Sequence, residues 1–151
     1  MPTDILRSRS TKAFAASQPV ERELTERLLV LKAGGIVLRA RLAATASADL
    51  IWHALPIFGV AEPWGETIHF EIPIRSGRDR TARLQARVGD ICLWCEERRV
   101  IVPFGPTPIS RPNEIRMPSP VNVIATALDD VEVLRGVRVG EKVTLARGEL
   151  A

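Results

Sequence analysis

Few side chains in this sequence are equipped for chemistry. It holds two cysteines, two histidines, three tryptophans and four phenylalanines, and no tyrosine. Cys92 and Cys95 enclose Leu93 and Trp94. In a thioredoxin-like protein such a pair opens a helix whose dipole lowers a thiol pKa. Here it lies in an apolar, alternating stretch that reads as a strand, where positions i and i+3 face opposite ways. The sulfurs are expected apart, as structural thiols, which fits a reducing cytoplasm. His53 follows Trp52 on a helical stretch and reads as a packed surface residue. His69 faces away from the Ile68/Phe70 stripe and is free to join a site. Two separated histidines and two diverging cysteines make no zinc set. Gly34-Gly35 joins strands and opens no helix, so it is not a phosphate loop. Ser119 has no histidine near it in sequence, so no nucleophile triad is supported. No catalytic residue, metal or cofactor is expected.

The best candidate site is an assembly of residue types. Glu62, Trp64 and Glu66 share one loop, Phe70 follows on a strand, and Phe104 and Thr107 come from a proline-rich loop. Aromatic walls with a few polar groups suit a small-ligand or peptide pocket. Pro106 and Pro108 would hold Phe104 stiffly and lower the ordering cost of binding. Glu62 and Glu66 would bias the rim toward neutral or cationic ligands. The competing reading is that Trp64, Phe70 and Phe104 simply fill the interior.

The elements that must position these residues are short. Residues 1–22 have no periodic apolar pattern and read as a flexible extension before a single domain over residues 23–151; residues 20–27 suit a short helical turn. The stretch from Arg27 to Lys32, the Gly34-Gly35 turn and the alternating Ile36, Leu38, Ala40 and Leu42 make a β-hairpin. Ser47 suits an N-cap for a two-turn helix that Pro56 ends. Ile68, Phe70, Ile72 and Ile74 share one strand face, with Pro73 at an edge or bulge. Val88-Gly89-Asp90 is a turn, and the runs Ile91–Cys95 and Val100–Phe104 form a second hairpin around Glu96-Glu97-Arg98-Arg99. Residues 103–120 carry six of the eleven prolines and read as a long, ordered surface loop that cannot join a ladder. The stretch Val121–Leu128 is a strand with Asn122 inside it. Asp129-Asp130 caps a short helical turn ending at Gly136, and Val143–Ala146 is the last strand. The sum is mainly β: a closed or nearly closed barrel that leaves no free edges, with two short helices.

At 151 residues and a formal charge of +3, the chain fits one globular domain. Residues 1–22 carry +2 of that charge (Arg7, Arg9, Lys12 and Arg22 against Asp4 and Glu21), leaving +1 for the body. No apolar run spans a membrane and no secretory signal is apparent. One basic run stands out, Arg75, Arg78, Arg80, Arg83 and Arg87, with only Asp79 against it. It reads as a solvated loop or, alternatively, as a patch for an anionic partner. No aromatic is interleaved to stack on bases, so nucleic acid is not the expected partner.

In order along residues 27–147, several segments resemble a family of small, atypical cyclophilin-like proteins of bacteria and archaea. They are Trp52-His53-Ala54-Leu55-Pro56, Glu62-Pro63-Trp64-Gly65-Glu66, residues 68–73, Val88-Gly89-Asp90-Ile91, Phe104-Gly105-Pro106-Thr107-Pro108, Ser119-Pro120-Val121-Asn122-Val123 and Gly140-Glu141-Lys142-Val143. The resemblance implies a cyclophilin-like closed β-barrel of about eight strands with helices at its ends, and no known activity. Ordinary cyclophilins isomerise X-Pro bonds with an arginine announced by Phe-His-Arg. Here the nearest string is Ile68-His69-Phe70, no arginine follows until Arg75, and the Gln-Gly-Gly-Asp run is missing. The expected function is therefore a cytoplasmic, non-catalytic module for a small molecule or peptide. The alternatives are a weak or atypical peptidyl-prolyl isomerase and a structural or homo-oligomerising partner. A guanidinium from Arg39, Arg41 or Arg75 over a Phe70/Phe104 cleft would favour the isomerase.

Overall fold

The computed structural model describes residues 27–148. The extension expected over 1–22 and all but the last residue of the helical turn expected over 20–27 lie outside the described residues. The first hairpin forms as its period predicts. β1 (Leu28–Ala33) and β2 (Ile36–Leu42) pair antiparallel, and Gly34 turns between them at φ +60°, where an L side chain is strained. Leu38, Ala40 and Leu42 are buried while Val37, Arg39 and Arg41 face outward.

Helix α1 (Ala46–Ala54) starts two residues before the expected position. Thr45, not Ser47, is the N-cap, its Oγ1 accepting the Ala48 N–H at 3.2 Å. Ser47 is buried inside the first turn and donates its hydroxyl to Asp79. The remaining elements are β3 (Ile57–Val60), β4 (Glu62–Pro63), β5 (Thr67–Glu71), β6 (Arg83–Ala86), β7 (Asp90–Trp94), β8 (Arg99–Pro103), β9 (Ile115–Ala127), a 3-10 helix (Val131–Gly136) and β10 (Lys142–Arg147). Asp130 caps the 3-10 helix as expected, accepting from the Glu132 N–H. No helix among the described residues is long and apolar enough to cross a membrane.

The strand order is β3-β10-β1-β2-β9-β7-β8-β5-β4, with β6 paired to β9. Among the described residues the fold is thus mainly β with two short helices, as the sequence indicates, but built from ten strands instead of about eight. The ladder among the described residues does not close by hydrogen bonding. β3 and β4 end the order, and β3 passes against β5 without pairing, through Gly59.

Three segments depart from the pattern the sequence predicts. β9 runs straight through Pro118 and Pro120, which were expected in a loop. The β6 register jumps from Val121 to Arg116 between Arg83 and Gln85, so both prolines fall in a stretch where no ladder donor is required. Residues 83–86 form the strand β6 where a solvated loop was expected. The strand after Gly65 stops at Glu71, and Ile72 leaves the ladder with its N–H on the Arg98 carbonyl at 2.9 Å.

Two apolar clusters hold the fold together. The larger lies inside the sheet, around Leu29, Leu31, Leu38, Phe70, Ile124 and Leu145. The smaller lies on the opposite face of β7, β8 and β9, where Cys92, Ile101, Met117 and Val121 are covered by Ala86 of β6 and by the half-buried Trp64 and Trp94. β7 and β8 therefore read as nearly continuous apolar runs, because both their faces are covered. Each fully buried Leu, Ile or Phe contributes roughly 1.5–3 kcal/mol. Cys92 faces the smaller cluster and Cys95 packs against the larger. The thiols are free, on opposite faces, as expected.

Candidate functional site

The six residues singled out in the sequence are distributed over three places. Phe70 is fully buried, and Phe104, 9% exposed, belongs to the same interior cluster. Arg135 lays its guanidinium over the Phe104 ring, 4.9 Å from the centroid. That guanidinium is committed to two carboxylates, Glu132 and Glu66, which hold it more firmly protonated than usual. Glu66 in turn packs on Gly105, where a Cβ would stand 2.5 Å from its Oε2. Thr107 is buried and pins the proline-rich loop, donating from Oγ1 to the Arg116 carbonyl at 2.5 Å. Its N–H donates to Ser110 Oγ at 2.9 Å. Trp64 packs on the smaller cluster instead, and its carbonyl accepts from Thr67 Oγ1 at 2.8 Å. Thus Glu66, Phe104 and Arg135 come together, Phe70 lies beneath in the core, and Trp64 joins another face.

Glu62 lines a groove of about 460 Å³ over the seam between β3 and β5, with Phe58, Gly59 and Val60 on one side. Glu71, Ile72, Pro73 and Arg99 complete it. Strand alternation turns Ile57 inward and Phe58 and Val60 outward, leaving those two 69% and 54% exposed. Gly59 forms the floor. A Cβ there would meet Phe70 Cδ2 at 2.8 Å and the Glu71 carbonyl at 3.2 Å, so only glycine lets β3 lie this close.

The polar end of the groove is organised by Arg99. Its Nη1 donates to Glu62 Oε2 at 2.5 Å and to His69 Nδ1 at 3.2 Å. Accepting from a guanidinium requires a neutral imidazole with its proton on Nε2. Burial, aided by the Arg99 charge, lowers the His69 pKa and keeps it in that form, against the opposing pull of Glu62. The ring stands edge-on to Trp94, 6.5 Å between centroids. Two carboxylates, Glu62 and Glu71, face one guanidinium, which leaves the groove with one net negative charge. Among the described residues no group of three or more His, Cys, Asp and Glu is placed to hold a metal ion.

The sequence matches the family model described as cyclophilin-like over residues 27–146. The chain belongs to the cyclophilin-like family. Its fold is similar to the solution structure of a hypothetical protein, AF2241, from Archaeoglobus fulgidus. That likeness has a TM-score of 0.71 at 29% identity and covers 82% of this chain and 96% of that one. It is also similar to McbB, solved in complex with tryptophan, with a TM-score of 0.61 at 15% identity. That match covers 82% of this chain and 45% of McbB, and at this identity shows the fold alone. No curated protein matches the sequence.

Within this cyclophilin-like domain the arginines considered for isomerase chemistry lie elsewhere. Arg39 is bound to Asp129 through Nη2 and Nε, at 2.8 and 3.1 Å. Arg41 faces outward on β2, and Arg75 lines a separate concavity with Ser76, Cys95, Glu96 and Arg98. The guanidinium that does cover Phe104 belongs to Arg135. Sequence reasoning missed both Phe58 and Arg135. A signal for Phe58 existed, since Phe58-Gly59-Val60 sets two large apolar residues on one face around a glycine. Arg135 had none, because its partners Glu66 and Phe104 are remote in sequence.

Proposed function

We propose that this cyclophilin-like domain is a non-catalytic binding module whose groove over the β3–β5 seam takes a small cationic or neutral molecule or an extended peptide. The observation that carries the reading is Phe58, a large aromatic side chain 69% exposed at the wall of a concave surface floored by glycine. With Val60 beside it, 54% exposed, it forms an exposed apolar patch of the kind that marks interaction sites, and apolar walls with a few fixed polar groups are what ligand sites offer. Phe58, Val60 and Pro73 would receive an apolar side chain. Glu62 and Glu71 would receive an ammonium or guanidinium, while Arg99 and His69 hold Glu62 in place.

The test uses a capped hexapeptide alternating lysine and leucine, titrated into the full chain and into Phe58→Ser. The exposed position allows the variant to fold. Saturable binding to the parent with at least roughly tenfold weaker binding to Phe58→Ser supports the groove, since a buried aromatic anchor commonly contributes that much. Equal binding by both would place the ligand elsewhere.

A further inference from the structure

Among the described residues the strand β6 (Arg83–Ala86) is a free sheet edge. It pairs with β9 on one side, and no other backbone hydrogen bond reaches residues 83–86 among the described residues. Alternate peptide groups along it therefore point outward without a partner, the arrangement that accepts an added strand. A concavity of about 530 Å³ is lined by residues 83–87 together with Asn113 and Glu114, which lead into the paired strand β9. Leu84 is 37% exposed beside it.

The charge around this edge selects what can add to it. Arg83 is paired with Asp90 at 3.0 Å, and the same carboxylate accepts the Arg87 N–H at 2.9 Å. Glu114 is taken by Arg116 and by the Arg111 N–H. Both nearby acids are thus satisfied. Arg80, in the turn three residues before the strand, and Arg87, immediately after it, are exposed and have no carboxylate within salt-bridge range among the described residues. Antiparallel pairing of residues 83–86 with a second copy would bring the free guanidinium groups of Arg80 and Arg87 from both copies to the same edge, which like-charge repulsion disfavours. An acidic strand meets the opposite situation.

We propose that the β6 edge is a docking site for an extended acidic peptide segment, which adds as a strand beside residues 83–86 and places carboxylates on Arg80 and Arg87. This site is separate from the β3–β5 groove and of opposite charge preference. Backbone hydrogen bonds supply affinity without much sequence demand, and the two guanidinium groups supply the choice of charge.

The test measures fluorescence anisotropy with a labelled, capped octapeptide alternating glutamate and valine, against the full chain. Binding that weakens with salt is expected. The same peptide N-methylated at alternate residues keeps its charge and loses its strand hydrogen bonds, and should bind at least roughly tenfold more weakly. Arg80→Ala/Arg87→Ala should weaken the parent peptide by a similar factor while leaving the far-ultraviolet spectrum unchanged. Hydrogen exchange should slow at the amides of residues 83–86 when the peptide binds. Four results would overturn the proposal: no binding at millimolar peptide, unchanged binding of the N-methylated peptide, exchange protection confined to another strand, or an eight-nucleotide oligothymidylate binding as tightly with the same arginine dependence.

Discussion

Gly59 lies against Phe70, with room for no side chain between them: a Cβ on Gly59 would stand 2.8 Å from the ring and 3.1 Å from the Phe70 Cβ. β3, at one end of the sheet order, meets β5 there by contact and not by a ladder, and the groove lies above that contact. Because Phe70 is fully buried, the ring cannot swing away cheaply. Gly59→Ala is expected to cost about 1–3 kcal/mol, the usual range for overpacking. The cost should shrink when Phe70→Leu is combined with it, since residues in contact couple. Urea unfolding of the two single variants and the double variant checks this, and strict additivity would contradict the seam.

Asn122 is expected to act as the anchor of the loop over residues 75–82. It is fully buried in β9, its Oδ1 accepting the Asp79 N–H at 2.7 Å and its Nδ2 donating to the Gly77 carbonyl at 3.0 Å. Asn122→Leu leaves both backbone groups without that partner, at about 1–3 kcal/mol for each one that stays buried. Faster hydrogen exchange at the Asp79 amide is the specific readout. An unchanged rate there would contradict the role.

The pH dependence of stability should carry a contribution from His69. Its pKa is lowered in the folded state by burial and by Arg99, from an ordinary value of 6.5. The unfolded chain therefore binds the proton more readily, and stability rises with pH between the folded and unfolded values. The contribution is fully present above about pH 6.5 and is lost as the pH falls toward the folded pKa. His69→Gln should flatten that segment of the profile. The carboxylates of Asp49, Glu96 and Asp129, all held below their usual range by bonded partners, act at lower pH. A His69→Gln profile parallel to the parent from pH 5 upward would contradict this.

Trp64→Ala should destabilise the domain by about 2 kcal/mol, less than the ~3–5 kcal/mol of a fully buried tryptophan, because Trp64 is only half-buried on the Ile101 and Met117 cluster. Binding of the lysine–leucine peptide in the β3–β5 groove should be unchanged. Loss of binding with stability intact would return the site to the Trp64 loop.

The parts of the fold legible in the sequence are those whose periodicity is set by one buried face. Ile36 to Leu42 and Ile68 to Phe70 alternate because one side of each strand meets the core. β6 was illegible because an edge strand rich in arginine looks like a solvated loop. β9 was illegible because two prolines normally exclude a ladder, and only the long register jump opposite Arg83 and Gln85 accommodates them. Ser47 and Thr45 are both good caps; burial of Ser47 against Asp79 decides between them. For the site, Glu62 was legible as a loop carboxylate beside aromatic residues. Its partners Arg99 and His69 and the opposite wall at Phe58 are brought to it only by the sheet order β8-β5-β4 and by the unpaired approach of β3.

The groove is tested most directly by mapping amide chemical shifts while the lysine–leucine hexapeptide is titrated into the isotopically labelled chain. Saturable shifts centred on Phe58, Gly59, Val60, Glu71 and Arg99, absent in Phe58→Ser, are the predicted result. Shifts centred on Trp64 and Phe104, or no saturable shifts at millimolar peptide, would contradict it.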